Sequence, residues 1–313
     1  MGKIGFVYDP AYLRHDTGPR HPENPARLKA IINHLDAVGF YQLLEFIEPA
    51  PAPLNWVQKV HSLEYIQRVE QSCKQGLTLL DSPDTGIGPA SYEIALLSAG
   101  GVLTAIDRIM NGLVSRAFCA IRPPGHHAER DRAMGFCIFN NVSIGACYLR
   151  EKYAIERVLI IDWDSHHGNG TQSTFWADPA VFYFSVHQYP HYPGTGSHLE
   201  KGIGVGKGHT LNIPLPAGCG DKEYIEAFHD FLWPAAMTFS PQFILISAGF
   251  DAHRDDPLSG MMVTEDGYEE MTRIVLEIAL QKCQGKIVSV LEGGYNLIAL
   301  SHSLERHLLA LQG

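Results

Sequence analysis

Six short apolar runs that do not alternate with polar residues leave this chain few folds to choose from. They lie at 3–8 (KIGFVY), 117–121 (AFCAI), 157–161 (RVLII), 181–186 (VFYFSV), 243–248 (FILISA) and 286–291 (KIVSVL). A strand with one wet face alternates, so runs of this kind belong to strands buried on both faces, as in a parallel sheet. Between them lie helical periodicities over 91–111 with Ser91 as N-cap, 140–152, 222–238, 264–283 starting at Thr264, and 297–311. Alternation of the two patterns predicts an α/β fold. No linker or repeat interrupts it, so 1–313 reads as one domain, with a Pro-Ala loop at 49–53 and a Gly-rich stretch at 190–220.

Composition excludes several classes. With 45% hydrophobic and 19% charged residues the chain can bury a full core, which removes disordered and fibrous proteins. The 34 acidic against 24 basic residues give a formal charge of −10, so no general positive field exists to hold a phosphate backbone and no direct nucleic-acid partner is expected. Cys73, Cys119, Cys137, Cys147, Cys219 and Cys283 are scattered without a C-x-x-C pair and read as reduced core fillers. Met1 to Pro10 lacks the succession of a signal peptide, and Phe6 stands where a myristoylation site needs Ser or Thr. No apolar stretch approaches the about 18 residues of a membrane span. The expectation is a soluble, cytoplasmic protein without a membrane partner.

The segments just after the runs are more informative. The run at 117–121 leads into Arg122-Pro123-Pro124-Gly125-His126-His127, and that at 157–161 into Asp162-Trp163-Asp164-Ser165-His166-His167-Gly168-Asn169-Gly170. The run at 243–248 leads into Gly249-Phe250-Asp251-Ala252-His253, and that at 286–291 into Glu292-Gly293-Gly294-Tyr295. In a parallel sheet these ends share one edge, where ligands of open α/β sheets bind. Four chemically loaded loops are therefore expected to converge on one site.

Residues two apart on an extended segment face the same way, so Asp164 and His166 can point together into that site, with Asp162 behind them. Asp251 can complete the set from another strand end. Two carboxylates and one imidazole leave a coordination position open, the pattern of a catalytic rather than a structural zinc. His126 and His127 follow a rigid Pro-Pro-Gly turn in which Gly125 permits close backbone approach, and paired imidazoles beside an activated water can take and return protons near neutral pH. Tyr295 offers a phenol suited to an oxyanion. Taken singly, each motif also fits a hydrogen-bonded loop or a packed strand end; their convergence carries the functional reading.

The motifs RPPGHHA at 122–128, DWDSHHGNG at 162–170, PGTG at 193–196, GFDAHRDDPL at 249–258 and LEGGYNL at 291–297, with HPENPARL at 21–28, resemble the zinc-dependent histone deacetylase superfamily. That superfamily includes acetylpolyamine amidohydrolases and acetoin-utilisation proteins. The motifs occur in the family's order over nearly the whole chain, and the Leu-Glu-Gly-Gly-Tyr and Gly-Phe-Asp-Ala forms are similar to the class II branch and its bacterial histone deacetylase-like amidohydrolases.

The resemblance implies an arginase-like three-layer α/β/α sandwich around a mostly parallel sheet. It implies Asp164, His166 and Asp251 as zinc ligands, in a site whose donors also suit Fe(II) or Co(II). It further implies a structural potassium ion near Asp162, Asp164, His166, Ser185 and Val186. Phe136 and Tyr192 would flank a narrow channel for an acylated amine, with Gly135, Gly294 and Leu258 along it and Asp84 at its rim. The implied reaction is zinc-assisted hydrolysis of a linear amide, with His127 as base, Tyr295 stabilising the oxyanion, Asp162 bonded to His126 and Asn169 facing His127.

By the same resemblance Tyr295, where some class II relatives carry His, points to a competent catalyst. Leu258 stands where polyamine-selective relatives can carry an acid, so acetyl-lysine in a peptide or protein is favoured over an acetylated small amine. An acetylpolyamine amidohydrolase is the alternative within the family, and a catalytically silent acyl-ligand-binding protein the alternative outside enzymes. A binuclear manganese hydrolase of the arginase type would need further carboxylates for a second ion about 3.5 Å away, and Asp251 to Pro257 lacks that D-x-D spacing. Gly202 to Gly208 lacks the spacing of a phosphate loop and reads as a flexible loop. His187, His253 and Arg254 are supporting candidates near the same edge. A homo-oligomer is an option that the family leaves open.

Overall fold

The non-alternating runs form the sheet that the sequence predicts. The structure is a computed structural model that describes residues 3–313, so the reading of the Met1-Gly2 terminus lies outside the described residues. The strands are, in chain order, β1 (Ile4–Val7), β2 (Glu45–Ile47), β3 (Leu79–Leu80), β4 (Ser82–Gly86), β5 (Arg116–Cys119), β6 (Val158–Asp162), β7 (Val181–Gln188), β8 (Thr210–Leu215), β9 (Phe243–Ala248) and β10 (Ile287–Leu291). Eight of them make one parallel sheet in the order β2-β1-β5-β10-β9-β6-β7-β8, while β3 and β4 pair as a small antiparallel ribbon.

Every residue of β1, β6, β9 and β10 is buried, which is why these segments show no alternation. Helices Ala26–Ala37, Glu265–Cys283 and Leu297–Gln312 pack together, as do Ser91–Met110 and Asn141–Tyr153, and these two groups flank the sheet. Side chains such as Ile160, Leu245 and Val288 are excluded from water, each worth about 1.5–3 kcal/mol of burial. Asn140 and Thr264 cap their helices through side-chain oxygens that accept the N–H groups of Ser143 and Gly267.

Four details depart from the sequence reading. The edge strands β2 and β8 have half-exposed positions and escape a search for apolar runs; Pro214, which cannot donate to a neighbour, fits an edge strand. Ser91 is the first helical residue rather than the cap, and its Oγ accepts the N–H of Gly88 at 2.8 Å. The helix expected over 222–238 is Asp221–Ala227 and Trp233–Phe239 joined by a wide π turn at Phe228–Leu232, where Pro234 removes a donor. Cys147 and Cys219 are only half-buried, unlike the other four cysteines, and all six are free thiols.

The strand order explains why the chemistry converges. β5, β10, β9 and β6 are consecutive neighbours, so the four loops after them open side by side at one edge. Asp162, last in β6, pairs in register with Ser247 of β9 and Ser185 of β7. No helix of the described residues is long and apolar enough to cross a membrane.

Candidate active site

Asp164, His166 and Asp251 meet beyond the ends of β6 and β9, with one donor atom from each within 4.8 Å of the others. His166 Nδ1 lies 3.1 Å from Oδ1 of Asp164 and 2.9 Å from Oδ2 of Asp251. The remaining oxygens are fixed by backbone: Oδ2 of Asp164 accepts the N–H of Gly293 at 2.8 Å, and Oδ1 of Asp251 accepts that of Ser165 at 2.8 Å. A Cβ at Gly249 would collide with Oδ2 of Asp164, and one at Gly293 with Oδ2 of Asp251, so both glycines clear space for the carboxylates.

This donor set fits a divalent cation. Two buried carboxylates and an imidazole nitrogen point at one another with their outer atoms held in place, an arrangement suited to zinc. Burial opposes protonation of His166, yet the two carboxylates hold its imidazole up to about 10, and the same negative field favours a bound cation.

His126 and His127 lie beside this set with ring centroids 4.0 Å apart. His126 Nδ1 is 3.1 Å from Oδ2 of Asp162, which also accepts the Tyr183 hydroxyl at 3.0 Å. His127 Nδ1 is 2.8 Å from Oδ1 of Asn169. Burial opposes charging His126, but Asp162, Asp164 and Glu292 outweigh it and push it up to about 10. Burial, reinforced by His126 and His166, holds His127 well below its ordinary value. The neighbouring imidazoles are thus driven apart, one toward the cation and one toward the neutral base.

The His-His loop is anchored from beneath. Oε2 of Glu292 accepts the N–H groups of Gly125 at 2.7 Å and His126 at 3.2 Å, while Oε1 accepts the Ser247 hydroxyl. A Cβ at Gly125 would lie 2.6 Å from the backbone N of Asn141, so close approach does require glycine there.

A channel of about 240 Å³ leads to the cluster, lined by Asp84, His127, Gly135, Phe136, His166, His191, Tyr192, Leu258 and Tyr295. Gly135 and Phe136 both adopt positive φ, 56° and 68°, which turns the Phe136 ring to within 5.7 Å of Tyr295. A Cβ at Gly135 would run into the His127 ring. Tyr192 closes the other side, edge-on to His127 at 5.2 Å. Burial raises the Tyr295 phenol well above its ordinary value against the opposing charge of Arg27, so its hydroxyl stays a donor. Arg27 lies over the Tyr295 ring at 5.1 Å and donates to the carbonyls of Gly294 and Glu292.

The histone deacetylase domain model matches residues 21–311. The chain belongs to the histone deacetylase family. It is 42% identical over 295 residues to a probable deacetylase of Archaeoglobus fulgidus, covering 94% of this chain and 81% of that protein. It is 39% identical to histone deacetylase 5 of Arabidopsis thaliana over 96% of this chain, though only 48% of that longer protein is matched. The crystal structure of the HDA15 HD domain superposes with a TM-score of 0.94 at 37% identity, covering all of this chain and 90% of that one. The three-layer fold is therefore the histone deacetylase fold, and the chain is a deacetylase-family hydrolase.

The structure brings the sequence-derived residues of this deacetylase-family chain together with few exceptions. Gly294 does not line the channel; it carries the carbonyl that Arg27 holds. Ser185 and Val186 lie on β7 beside Asp162, where the potassium site was expected. His187 joins a buried polar cluster with its Nδ1 on Ser185 and its ring 4.8 Å from His167, and His253 lies 3.4 Å from Glu265. The Gly202 to Gly208 loop contains one 3₁₀ turn.

Several residues were missed. Asp256 accepts the N–H groups of Tyr295 and Asn296, and Glu23, bonded to both Arg122 and Arg27, forms a buried ionic link beneath the site. His191 stacks on His166 at 5.0 Å. The i,i+4 spacing of Glu23 and Arg27 and the acids after Asp251 were visible signals, but nothing local tells which backbone each would bind.

Proposed function

We propose that the chain is a single catalytic domain that hydrolyses N-acyl amides, most favourably the acetyl group of lysine side chains, to an amine and a carboxylate. The observation that carries this reading is the channel itself. Its walls are the Phe136 and Tyr192 rings, and its floor presents His166, His127 and Tyr295. Flat apolar walls strip water from an alkyl stem and leave the acyl carbon among polar groups.

Asp164, His166 and Asp251 would hold a divalent cation, zinc by family precedent, which when bound polarises the acyl carbonyl and acidifies a water. His127, fixed through Nδ1 by Asn169, presents its other nitrogen to take the proton of the attacking water and hand it to the departing amine nitrogen. Tyr295 donates its hydroxyl to the oxygen that gains charge. His126, oriented by Asp162, holds the water's second hydrogen-bonding direction. The carbon–nitrogen bond breaks, the hydroxyl joins the acyl carbon, and the proton leaves with the amine. Main-chain and side-chain oxygens around Asp162, Asp164, His166, Ser185 and Val186 are proposed to hold a potassium ion that stiffens the ligand loop.

Leu258 at the mouth offers no charge to a polyamine tail, which supports a lysine side chain as substrate. Turnover of the zinc-loaded protein on an acetyl-lysine peptide and on an acetylated polyamine, each with a chelated control, tests the proposal. Chelator-sensitive turnover that favours the peptide supports it. Preference for the polyamine overturns the assignment of substrate, and no turnover on either overturns the enzyme reading in favour of a silent binder.

A further inference from the structure

A second cavity, of about 790 Å³, lies at the opposite ends of the strands from the channel and shares no lining residue with it. It opens where β7 and β8 begin, walled by Phe182 on one side and by the π turn at Phe228–Leu232 with its following helix on the other. Three phenyl rings, Phe182, Phe231 and Phe239, line it. Phe182 and Phe239 are 5.5 Å apart, and Phe231 is 48% exposed, so its ring is open to a ligand in the cavity. A π turn is an uncommon, costly piece of helix that tends to occur where a protein binds something.

The polar groups of the cavity point to one ligand chemistry. His209 packs between Phe182 and Phe239, at 6.2 and 5.9 Å, and its Nδ1 is buried without a hydrogen-bond partner. A buried nitrogen left unpaired is costly, so a ligand in the cavity that bonded to it would gain. Two cations border the same space: Arg157, whose Nε donates to the carbonyl of Ser240 and whose guanidinium lies 3.6 Å from Glu156 in an exposed ion pair, and Lys201, which has no acidic partner among the described residues. Asp230 is the one acid in the lining.

We propose that this cavity is a binding site for a small aromatic monocarboxylate. The ring lies among Phe182, Phe231 and Phe239, the carboxylate faces Arg157 and Lys201, and His209 supplies a hydrogen bond. Lys201 has no acidic partner among the described residues and the Arg157–Glu156 pair is exposed and weak, so the two cations favour a single negative charge, and Asp230 disfavours a second. The rings set the flat shape and the apolar body of the ligand. The site stands apart from the proposed reaction and does not depend on it.

The test uses 2-naphthoate as probe, with binding to the full chain followed by its fluorescence. Ala235, which lines the cavity on a half-buried helix face, is replaced by Trp to fill the space, and Lys201 by Glu to reverse the charge. Saturable binding is expected, weakened about tenfold or more by Ala235→Trp and by Lys201→Glu. Turnover of the acetyl-lysine peptide stays at the wild-type rate in both variants, and that peptide does not displace the probe. Absence of saturation up to about 5 mM probe, binding unchanged by both substitutions, equal affinity for 2-naphthylmethylamine, or displacement by the peptide would each overturn the proposal.

Discussion

The backbone N–H of Tyr295 lies 2.6 Å from Oδ2 of Asp256, and the same oxygen takes the N–H of Asn296 at 3.2 Å. One carboxylate thus ties the loop that presents the phenol to the loop that presents Asp251. Asp256→Ala is expected to lower kcat about 10–100-fold through misplacement of the phenol, with metal content near wild type. Asp256→Asn, which keeps an acceptor oxygen, restores most of the rate. Steady-state kinetics beside metal analysis of the purified variants reads both effects.

Tyr295→Phe removes the hydroxyl alone and leaves the ring against Phe136 and Arg27. Loss of one oxyanion donor costs about 10²–10³ in kcat. KM and thermal stability stay close to wild type, because the ring and its packing remain.

Metal retention separates the ligands from the proton-transfer group. Asp251→Ala takes away one of three donors and leaves Asp164 as the only carboxylate bonded to His166. Its zinc content after dialysis falls below one-tenth of the wild-type value, about a tenfold loss of occupancy. His127→Ala keeps its zinc and loses about 10²–10⁴ in turnover. Elemental analysis of the two variants side by side distinguishes these outcomes.

Acid stability is set by groups far from the channel as well as near it. Burial lowers His307 from 6.5 to about 3, with its ring between the Thr272 and Ser289 hydroxyls. The unfolded chain then binds a proton below pH 6.5 that the folded chain refuses until about pH 3, so stability falls as pH drops through that window. The loss amounts to about 2 kcal/mol between pH 6.5 and 5 from this one group. Glu23 acts in a lower window. Burial alone would raise it, but Arg122 outweighs burial and lowers it from 4.5 to about 2, so its contribution is full above pH 4.5 and lost toward pH 2. Melting temperatures of wild type and His307→Gln from pH 7 to 5 are expected to diverge, the variant showing the shallower decline.

Most of the fold and the meeting of Asp164, His166 and Asp251 were legible because they depend on local pattern. β6, β9 and β10 are buried on both faces and display it as unbroken apolar sequence, and the loop after each strand carries its chemistry within a few residues. Gly125 and Gly135 were legible or not according to context: the Pro-Pro-Gly turn announced the first, whereas the contact of Gly135 with His127 appears only when two separate loops meet. The edge strand β8 hid behind half-exposed residues and Pro214. Glu292 stood in a recognisable motif, yet its grip on Gly125 and His126 is a relation across the sheet between β10 and the loop after β5. Asp256 and Glu23 act on backbone and side-chain atoms far away in sequence, and no pattern along the chain encodes that.

Leu258 lines the channel, and in the proposed reaction it disfavours a cationic substrate tail. Leu258→Glu places a carboxylate beside the entrance and is expected to shift the ratio of kcat/KM values toward the acetylated polyamine about tenfold, a change of about 1.4 kcal/mol in relative transition-state binding. Parallel assays of the two substrates on the variant check this.

The proposed hydrolysis of an acylated amine in the channel requires the Asp164-His166-Asp251 cluster, His127 and Tyr295 to act together. Acetate release from an acetyl-lysine peptide, followed with the zinc-loaded wild type, its chelated form and Tyr295→Phe, probes that joint action in a single assay. Release by the wild type is expected to vanish on chelation and to drop about 10²–10³-fold in Tyr295→Phe. Release that survives chelation, or that Tyr295→Phe sustains at the wild-type rate, would refute the mechanism.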